Sequence, residues 1–161
     1  MQIAADAVEL GRFTGLKTVT LIGGADYQRQ LNKVNQAPVD LIVATPGRLI
    51  DFMERRDVAL DRVETLVLDE ADRMLDMGFI PQVKRIVRAT PRKEDRQTLL
   101  FSATFTQDIM NLARQWTFEP ITVEIEPERV ATASVDQKVY LVSSRERFTV
   151  LMDLLNDPAV E

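Results

Sequence analysis

Short apolar runs alternate with amphipathic stretches along most of this chain of 161 residues. The apolar runs are typical of strands, and they predict strands at residues 17–22, 40–44, 64–69, 97–102 and 121–125. Amphipathic stretches between them predict helices, as the helical spacing of Ile80, Val83, Ile86 and Val87 illustrates. Alternating strands and helices are typical of an α/β fold with a parallel sheet. Because the strand runs are almost continuously apolar, we expect helices on both faces of that sheet.

Capping residues mark the starts of several predicted helices. Asp26 is the expected N-cap of a helix that runs to about residue 35. Thr45 and Pro46 place a capping residue before a proline at the first helical position, and so predict a helix to about residue 55. Ser143 and Glu146 have the spacing of a capping box before a last amphipathic helix.

The chain is predicted to have a domain boundary after residue 125. Residues 126–134 combine charges, a proline and small side chains without a period, and they are interpreted as a linker. Residues 135–142 predict a new strand, which the capped helix follows. This terminal unit is too small to bury its own apolar face, so residues 135–161 are interpreted as the start of a second domain.

Composition narrows the chemistry that the chain can carry. It contains no cysteine and no histidine, which excludes disulfides, zinc sites with those ligands and Ser-His-Asp triads. A bound metal would need oxygen ligands, which indicates magnesium or another hard ion. The net charge of -5 mildly disfavours a nucleic-acid partner, although helix N-termini can also hold phosphates. The apolar runs are too short to span a bilayer, so we expect a cytoplasmic protein without a membrane partner.

Three carboxylates follow one predicted strand in the run Asp69-Glu70-Ala71-Asp72. The carboxyl ends of strands in an open α/β sheet face the ligand crevice. There, a first aspartate can hold magnesium directly or through water, and the next glutamate can accept a proton from an attacking water. A solvated acidic turn that ends in a helix cap is the alternative, and these residues alone leave both open.

Two further strand ends carry candidate polar groups. Ser102 and Thr104 offer hydroxyls to a neighbouring carboxylate, unless the segment only leads to a helix capped by Thr106. Gly23-Gly24 and Thr45-Pro46-Gly47-Arg48 lie between a strand end and a helix start. Free N–H groups and the Arg48 guanidinium could bind a phosphate there, or both stretches could be ordinary turns.

Taken together, these motifs resemble the DEAD-box RNA helicases. Asp69-Glu70-Ala71-Asp72 spells the motif that names the family, and Ser102-Ala103-Thr104 is similar to its SAT motif. Thr45-Pro46-Gly47-Arg48 resembles the TPGR motif and Gly23-Gly24 the GG motif, and all four follow the family's order within residues 1–125. The run from residue 73 to 79 is similar to bacterial members, in particular the RhlB-like branch.

The resemblance implies an ATP-dependent RNA helicase that couples ATP hydrolysis to local unwinding of RNA duplexes. Residues 1–125 would be part of a RecA-like domain of the P-loop NTPase type, with ATP and magnesium as cofactors. RNA, bound through its backbone, would be the main partner, and ribonucleases or ribosome-assembly proteins are candidate partners. The helix after Arg48 resembles the family's wedge helix, which bends the RNA strand.

The resemblance also implies roles for single residues. Asp69 and Glu70 would hold magnesium and activate the hydrolytic water. Asp72, Ser102 and Thr104 would link hydrolysis to movement between two RecA-like domains. The GG and TPGR motifs would contact one RNA strand, through Gly23, Gly24, Thr45, Pro46, Gly47 and Arg48.

Other parts of the family pattern do not occur in these residues. There is no Gly-x-x-x-x-Gly-Lys-[Ser/Thr] loop, no Q motif and no PTREL motif. In the family fold, the strand that leads to PTREL lies between those matching 40–44 and 64–69. The strand that leads to the phosphate loop lies between those matching 97–102 and 121–125. With the other strands in their family positions, the incomplete sheet would have two gaps, and the unpaired N–H and C=O groups beside them would cost more than the stability of a domain. The isolated chain is therefore expected to be inactive, and to be unfolded, aggregated or rearranged so that the gaps close.

Two other functions are compatible with part of the sequence. A receiver-type signalling domain would use Asp69 as phosphoacceptor and Thr104 as switch residue. It would also need an acidic pair early in the fold and a lysine after the last core strand, and residues 123–127 contain no lysine. A non-catalytic RNA-binding or regulatory fragment is the second alternative.

Overall fold

The computed structural model describes residues 2–125 and 139–156. Helices and strands alternate over most of the first range, as the sequence predicts. The helices are α1 (Gln2–Leu10), α2 (Tyr27–Asn35), α3 (Pro46–Glu54), α4 (Ala71–Asp76), α5 (Ile80–Ala89), α6 (Gln107–Trp116) and α7 (Arg147–Leu155). The strands are β1 (Thr18–Leu21), β2 (Leu41–Ala44), β3 (Thr65–Leu68) and β4 (Gln97–Leu100).

The four strands form two parallel pairs within the compact unit of residues 1–121. In one pair, Thr18 of β1 lies beside Leu41 of β2. In the other, Leu68 of β3 lies beside Leu100 of β4. The predicted α/β class with parallel strands is confirmed. No hydrogen-bonded ladder joins β2 to β3. The family resemblance implies that another strand lies between these two, and these residues do not contain it.

Each strand pair packs against its own apolar cluster. The first cluster joins Val19 and Leu21 of β1 to side chains of α3, among which Phe52 is fully buried. Tyr27 of α2 stacks on Phe52 with ring centroids 4.3 Å apart. The second cluster joins β3 to α5 and α6 and contains Leu68, Val83, Leu112 and Trp116. These clusters hold the carboxyl ends of the four strands, and the motifs that follow them, in place.

The strand predicted at residues 121–125 is not found. Those residues form no ladder, and the side chains of Ile121 and Ile125 are 90% and 88% exposed. A strand needs a neighbour for its N–H and C=O groups, and no other described strand pairs with this segment. The helix predicted at residues 2–13 ends at Leu10, where Gly11 begins a turn closed by the Thr14 hydroxyl.

The second compact unit, residues 122–161, contains α7. The predicted linker at 126–134 and the first half of the strand predicted at 135–142 lie outside the described residues, and residues 139–142 are not a strand. The Glu146 carboxylate accepts from the Ser143 N–H (3.2 Å) and hydroxyl (2.5 Å). This is only half of the predicted capping box, because the hydroxyl donates to Glu146 instead of capping α7. No residue of α7 is buried, as expected for a unit too small to cover its own apolar face.

Within the described ranges, no helix combines the length and the apolar character needed to cross a membrane.

Candidate active site and nucleic-acid groove

The parallel pairing of β3 and β4 continues beyond the ends of both strands. The Phe101 N–H donates to the Leu68 carbonyl (2.8 Å), and the Ala71 N–H donates to the Phe101 carbonyl (3.0 Å). These bonds hold the acidic run beside the segment with Ser102 and Thr104. The prediction that these residues lie together at one end of the strands is therefore confirmed.

Asp72 is the centre of a small hydrogen-bond network. Its Oδ2 accepts from the Thr104 N–H (3.0 Å) and from the Thr104 hydroxyl (3.1 Å). The Asp72 N–H donates to Ser102 Oγ (3.2 Å), and the Ser102 hydroxyl donates to the Thr104 carbonyl (2.8 Å). The network ties the start of α4 to the loop after β4.

The electrostatics of the network favour an ionised Asp72. Partial desolvation tends to raise the pKa of Asp72, but hydrogen bonds from the Arg73 N–H and from the N–H and hydroxyl of Thr104 outweigh it. The pKa of Asp72 is consequently below its ordinary value. At neutral pH, the carboxylate is thus an acceptor for both Thr104 donors.

Asp69 and Glu70 lie at the tip of the β3–α4 turn. Glu70 has φ 52° and ψ 49°, in the left-handed region that residues other than glycine rarely adopt. Such a conformation costs about 1–3 kcal/mol and often occurs at functional sites. The Asp69 carboxylate accepts from the Glu70 N–H (2.9 Å), and Glu70 forms an exposed ion pair with Arg73 (3.3 Å). The Glu70 carboxylate is thereby presented to solvent.

One acidic side chain at this turn, Asp69, could contribute a single ligand to a magnesium ion. No cluster of three acidic side chains suitable for a metal occurs among the described residues. Magnesium commonly takes only one or two protein carboxylates and fills its other positions with water and substrate phosphates. Asp69 Oδ1 accepts the Glu70 N–H, whereas Oδ2 has no hydrogen-bond partner in the part of the chain that the structure describes. One free carboxylate oxygen matches an ion held by few protein ligands.

A groove lies where β1 and β2 end, and we call it the strand-end groove. It has a volume of about 640 Å³. Five of the six residues predicted to contact RNA line it, together with side chains of α3 and α5; they are Gly23, Thr45, Pro46, Gly47 and Arg48. The sixth, Gly24, lies outside the lining and has φ 76°, which explains a glycine at this turn.

Thr45 leaves the start of α3 open to a ligand. It is the N-cap residue, and Pro46 follows it in the first turn, as predicted. Its side chain makes no capping hydrogen bond, because Thr45 Oγ1 accepts instead from the Gly23 N–H (3.4 Å). Pro46 has no N–H, so the first N–H groups of α3 are those of Gly47 and Arg48, and they lack a side-chain cap. Both residues line the groove, at the positive end of the helix dipole.

Arg48 links the two motifs that line the strand-end groove. Its guanidinium donates to the Ala25 carbonyl (3.0 Å) and lies 5.7 Å from the centre of the Tyr27 ring. A guanidinium has five donors, so others remain for a phosphate. Arg48 is thus held in position by the turn that contains the GG motif.

Two further residues at the site were not predicted from the sequence. Gln30 is buried, and its amide accepts from the Ile22 N–H (2.9 Å) and donates to three carbonyls of the GG turn, those of Ile22, Ala25 and Asp26. Gln82 of α5 lines the strand-end groove with a buried Oε1 that has no partner among the described residues. Both residues lie within helices, where spacing alone indicates only that a polar side chain is present.

This chain is similar in sequence to known helicases. A model of the DEAD/DEAH box helicase family matches residues 1–112. The chain is 57% identical over 155 residues to the ATP-dependent RNA helicase RhlB of Pseudomonas aeruginosa. That alignment covers 96% of this chain and 39% of the relative, so the chain spans well under half of its length. The expected similarity to RhlB-like bacterial members is confirmed.

Two solved structures share the fold. A hypothetical ATP-dependent RNA helicase from Sulfolobus tokodaii aligns with a TM-score of 0.66 and 35% identity, over 73% of this chain and 34% of that one. A DEAD box protein from Methanococcus jannaschii aligns with a TM-score of 0.68 and 31% identity, over 97% and 42%. The family match excludes the receiver-type alternative. The strand-end motifs, the family match and the structural similarity together show that this chain belongs to the DEAD/DEAH box helicase family.

Proposed function

We propose that these residues are the water-activating and RNA-contacting part of an ATP-dependent RNA helicase that unwinds RNA duplexes locally. The observation that supports this best is the contact between the acidic run and the segment after β4. There, Thr104 donates two hydrogen bonds to Asp72 while Ser102 accepts one from it. A solvated acidic turn would not need these bonds across two strand ends.

In this proposal, Glu70 is the general base. Its left-handed backbone presents the carboxylate to solvent beside Asp69, where it can accept a proton from an attacking water. Asp69 would hold magnesium through water, and the bound ion would neutralise charge on the phosphates. Asp72, Ser102 and Thr104 would transmit the state of the nucleotide site to a neighbouring domain.

The strand-end groove is the proposed RNA site. Uncapped N–H groups of α3 and the Arg48 guanidinium suit phosphates, which carry no base information. RNA would therefore be bound through its backbone, and α3 would bend the strand at the groove. The residues that would hold the strand are those of the GG and TPGR motifs.

The hydrolytic activity would belong to a longer protein. These 161 residues include no Gly-x-x-x-x-Gly-Lys-[Ser/Thr] loop, so on their own they would bind RNA without hydrolysing ATP. Residues 1–125 would then be part of a first RecA-like domain, 126–134 a linker and 135–161 the start of a second domain. Magnesium, a cytoplasmic location, and ribonuclease or ribosome-assembly partners belong to the same proposal and are supported by the family resemblance alone.

Replacement of Arg48 tests the RNA site in a full-length protein that carries this sequence. We expect Arg48→Ala to weaken binding of unrelated RNA sequences about equally, and to lower the salt dependence of the binding constant by about 1 log unit per log unit. Lys33→Ala removes one exposed charge outside the groove and should leave both quantities unchanged. A loss confined to one RNA sequence would show that Arg48 contacts bases.

Replacement of Glu70 tests the general base in the same protein. Glu70→Gln keeps the size of the side chain but removes the proton acceptor, so we expect ATP hydrolysis to fall about 10²–10⁴-fold while ATP binding and RNA binding persist. Glu64→Gln makes the same change just before β3, at the opposite end from the candidate site, and should leave turnover intact. Turnover of the Glu70 variant within a few-fold of wild type would contradict the assignment.

A further inference from the structure

A second groove lies at the carboxyl end of α5, and we call it the basic groove. It has a volume of about 480 Å³. One acidic side chain, Glu94, lines it against five basic ones, namely Lys84, Arg88, Arg92, Lys93 and Arg96. The whole chain has a net charge of -5, so the charge of this groove is opposite in sign to that of the chain.

Arg96 supplies a fixed positive charge to this groove. Its side chain is largely buried, with 9% of the residue exposed. The guanidinium donates to the Trp116 carbonyl (3.2 Å), to the Thr98 hydroxyl (3.1 Å) and to the Pro91 carbonyl, and all three acceptors are neutral. Within the described ranges it forms no ion pair. A buried charge with neutral partners is stabilised when an anion binds beside it.

Two of the exposed cations have no counter-ion among the residues that the structure describes. Lys84 and Arg88 are four residues apart on α5 and therefore lie on one face of the helix. Neither forms an ion pair with a residue that the structure describes, whereas Arg85 between them is paired with Glu54 (2.6 Å) and Arg92 with Asp95 (3.2 Å). Lys84 and Arg88 are consequently available to an external anion.

The position of the basic groove indicates which anion it suits. Gln82 lines the strand-end groove and Arg88 lines the basic groove, six residues further along the same helix. At 1.5 Å per residue, this separation is only about 9 Å along the helix axis. Around the helix axis, six residues at 3.6 per turn place Arg88 about 120° from Gln82. One nucleic-acid strand can therefore reach both grooves only by crossing the exposed side of α5, past Arg85. Trp116 is only 5% exposed, so the basic groove offers no exposed indole for base stacking, and its lining matches phosphates instead.

We propose that the basic groove binds phosphates of the same RNA strand that occupies the strand-end groove, and so extends the RNA-binding surface past α5. This rests on the proposed RNA site, and it adds a contact outside the motifs that define that site. The strand would leave the strand-end groove near Gln82 and place its next phosphates beside Arg88 and Lys84.

The test uses a full-length protein that carries this sequence and two oligouridylates, of about 6 and about 20 nucleotides. Lys84→Gln/Arg88→Gln removes two exposed charges and leaves the structural Arg96 in place. Lys33→Gln/Arg62→Gln removes the same net charge from exposed positions outside both grooves and is the matched control. Arg48→Ala reports on the strand-end groove, and unchanged thermal midpoints establish that all variants are folded.

We expect Lys84→Gln/Arg88→Gln to bind the short strand as wild type does and the long strand more weakly. Its salt dependence for the long strand should fall by about 1.4, at about 0.7 per phosphate contact of a single strand. The control should bind both strands like wild type. The proposal is overturned if the two double variants bind the long strand equally, or if Lys84→Gln/Arg88→Gln weakens binding of both strands alike. It is also overturned if polyglutamate displaces the long strand from the basic groove as effectively as RNA displaces it.

The Arg48 variant separates this outcome from a failure of the proposed RNA site. If Arg48→Ala leaves binding of the short strand unchanged, the strand-end groove is not the RNA site, whatever the basic groove does. If Arg48→Ala weakens both strands and the basic-groove variant weakens neither, only the extension past α5 is wrong.

Discussion

The two strand pairs of this chain have the same length and the same parallel pairing, yet they are covered very differently. Val19 and Leu21 of β1 are almost completely buried by α2, α3 and the segment after α3. In the other pair, α5 and α6 cover the face with Leu68, but Val67 of β3 is 51% exposed and Leu99 of β4 is 36% exposed. The described residues therefore leave one face of the β3–β4 pair partly uncovered.

The difference shows how each region holds its candidate chemistry. The strand-end groove is positioned by a hydrophobic core and by the buried Gln30, whose side chain hydrogen-bonds to the GG turn. The acidic run is positioned by hydrogen bonds between Asp72, Ser102 and Thr104, of which the two donated by Thr104 are exposed and the one accepted by Ser102 is partly buried. We expect the first region to be the more rigid, because Gln30 is a buried residue and a polar group left without its partner there is costly. The second is suited to a segment that moves with its ligand.

Of these substitutions, the largest effect is expected from replacing Gln30, which holds the GG turn in the rigid region. Gln30→Met keeps the length of the side chain but leaves the Ile22 N–H without its acceptor, which costs about 2–3 kcal/mol. The amide hydrogens of Ile22 and Thr45 should then exchange about 30–150-fold faster, at tenfold per 1.4 kcal/mol. Gln28→Met, on the exposed side of α2, should leave their exchange unchanged. Unaltered exchange in the Gln30 variant would show that the core alone holds the turn.

An intermediate effect is expected at the partly uncovered face of the second pair. A two-stranded sheet with exposed apolar edges is prone to pair with other chains. Leu99→Lys places a charge on this face and should slow aggregation of the 161-residue chain several-fold, as followed by light scattering. Ile121→Lys removes an exposed apolar side chain outside any strand and should have little effect. Equal slowing by both substitutions would attribute aggregation to general hydrophobicity and not to the strand edge.

The smallest effect is expected in the Asp72 network. Because its hydrogen bonds lower the pKa of Asp72, the link to Thr104 is complete above the ordinary pKa of an aspartate and is lost as the pH falls through the lowered pKa. Thr104→Val removes the donated hydroxyl bond, so the pKa of Asp72 should rise toward its ordinary value and the link should be lost at a higher pH. A carboxyl titration by NMR measures this change. Thr106→Val removes the N-cap of α6 instead, and it should leave that titration where it was.

Sequence alone located most elements to within a few residues. Their signals are local: Asp26 and Thr106 cap helices through bonds to residues three positions ahead, and β1 to β4 are short apolar runs. The segment 121–125 shows where prediction from local signals fails. It has the apolar pattern of a strand, but a strand forms only when a neighbour is present to pair with it.

For the candidate site, the amino-acid sequence is enough to show which residues carry the motifs and that they follow strands. It could not determine that Thr104 reaches Asp72, since that contact depends on the pairing of β3 with β4 across thirty-two positions of the chain. The tertiary structure likewise decides that Gln30 hydrogen-bonds to the GG turn. It also places the carboxyl end of α5 beside the loop before β4, where the two form the basic groove. Local preference fixes helices, caps and motifs, whereas contacts between distant residues exist only after the chain has packed.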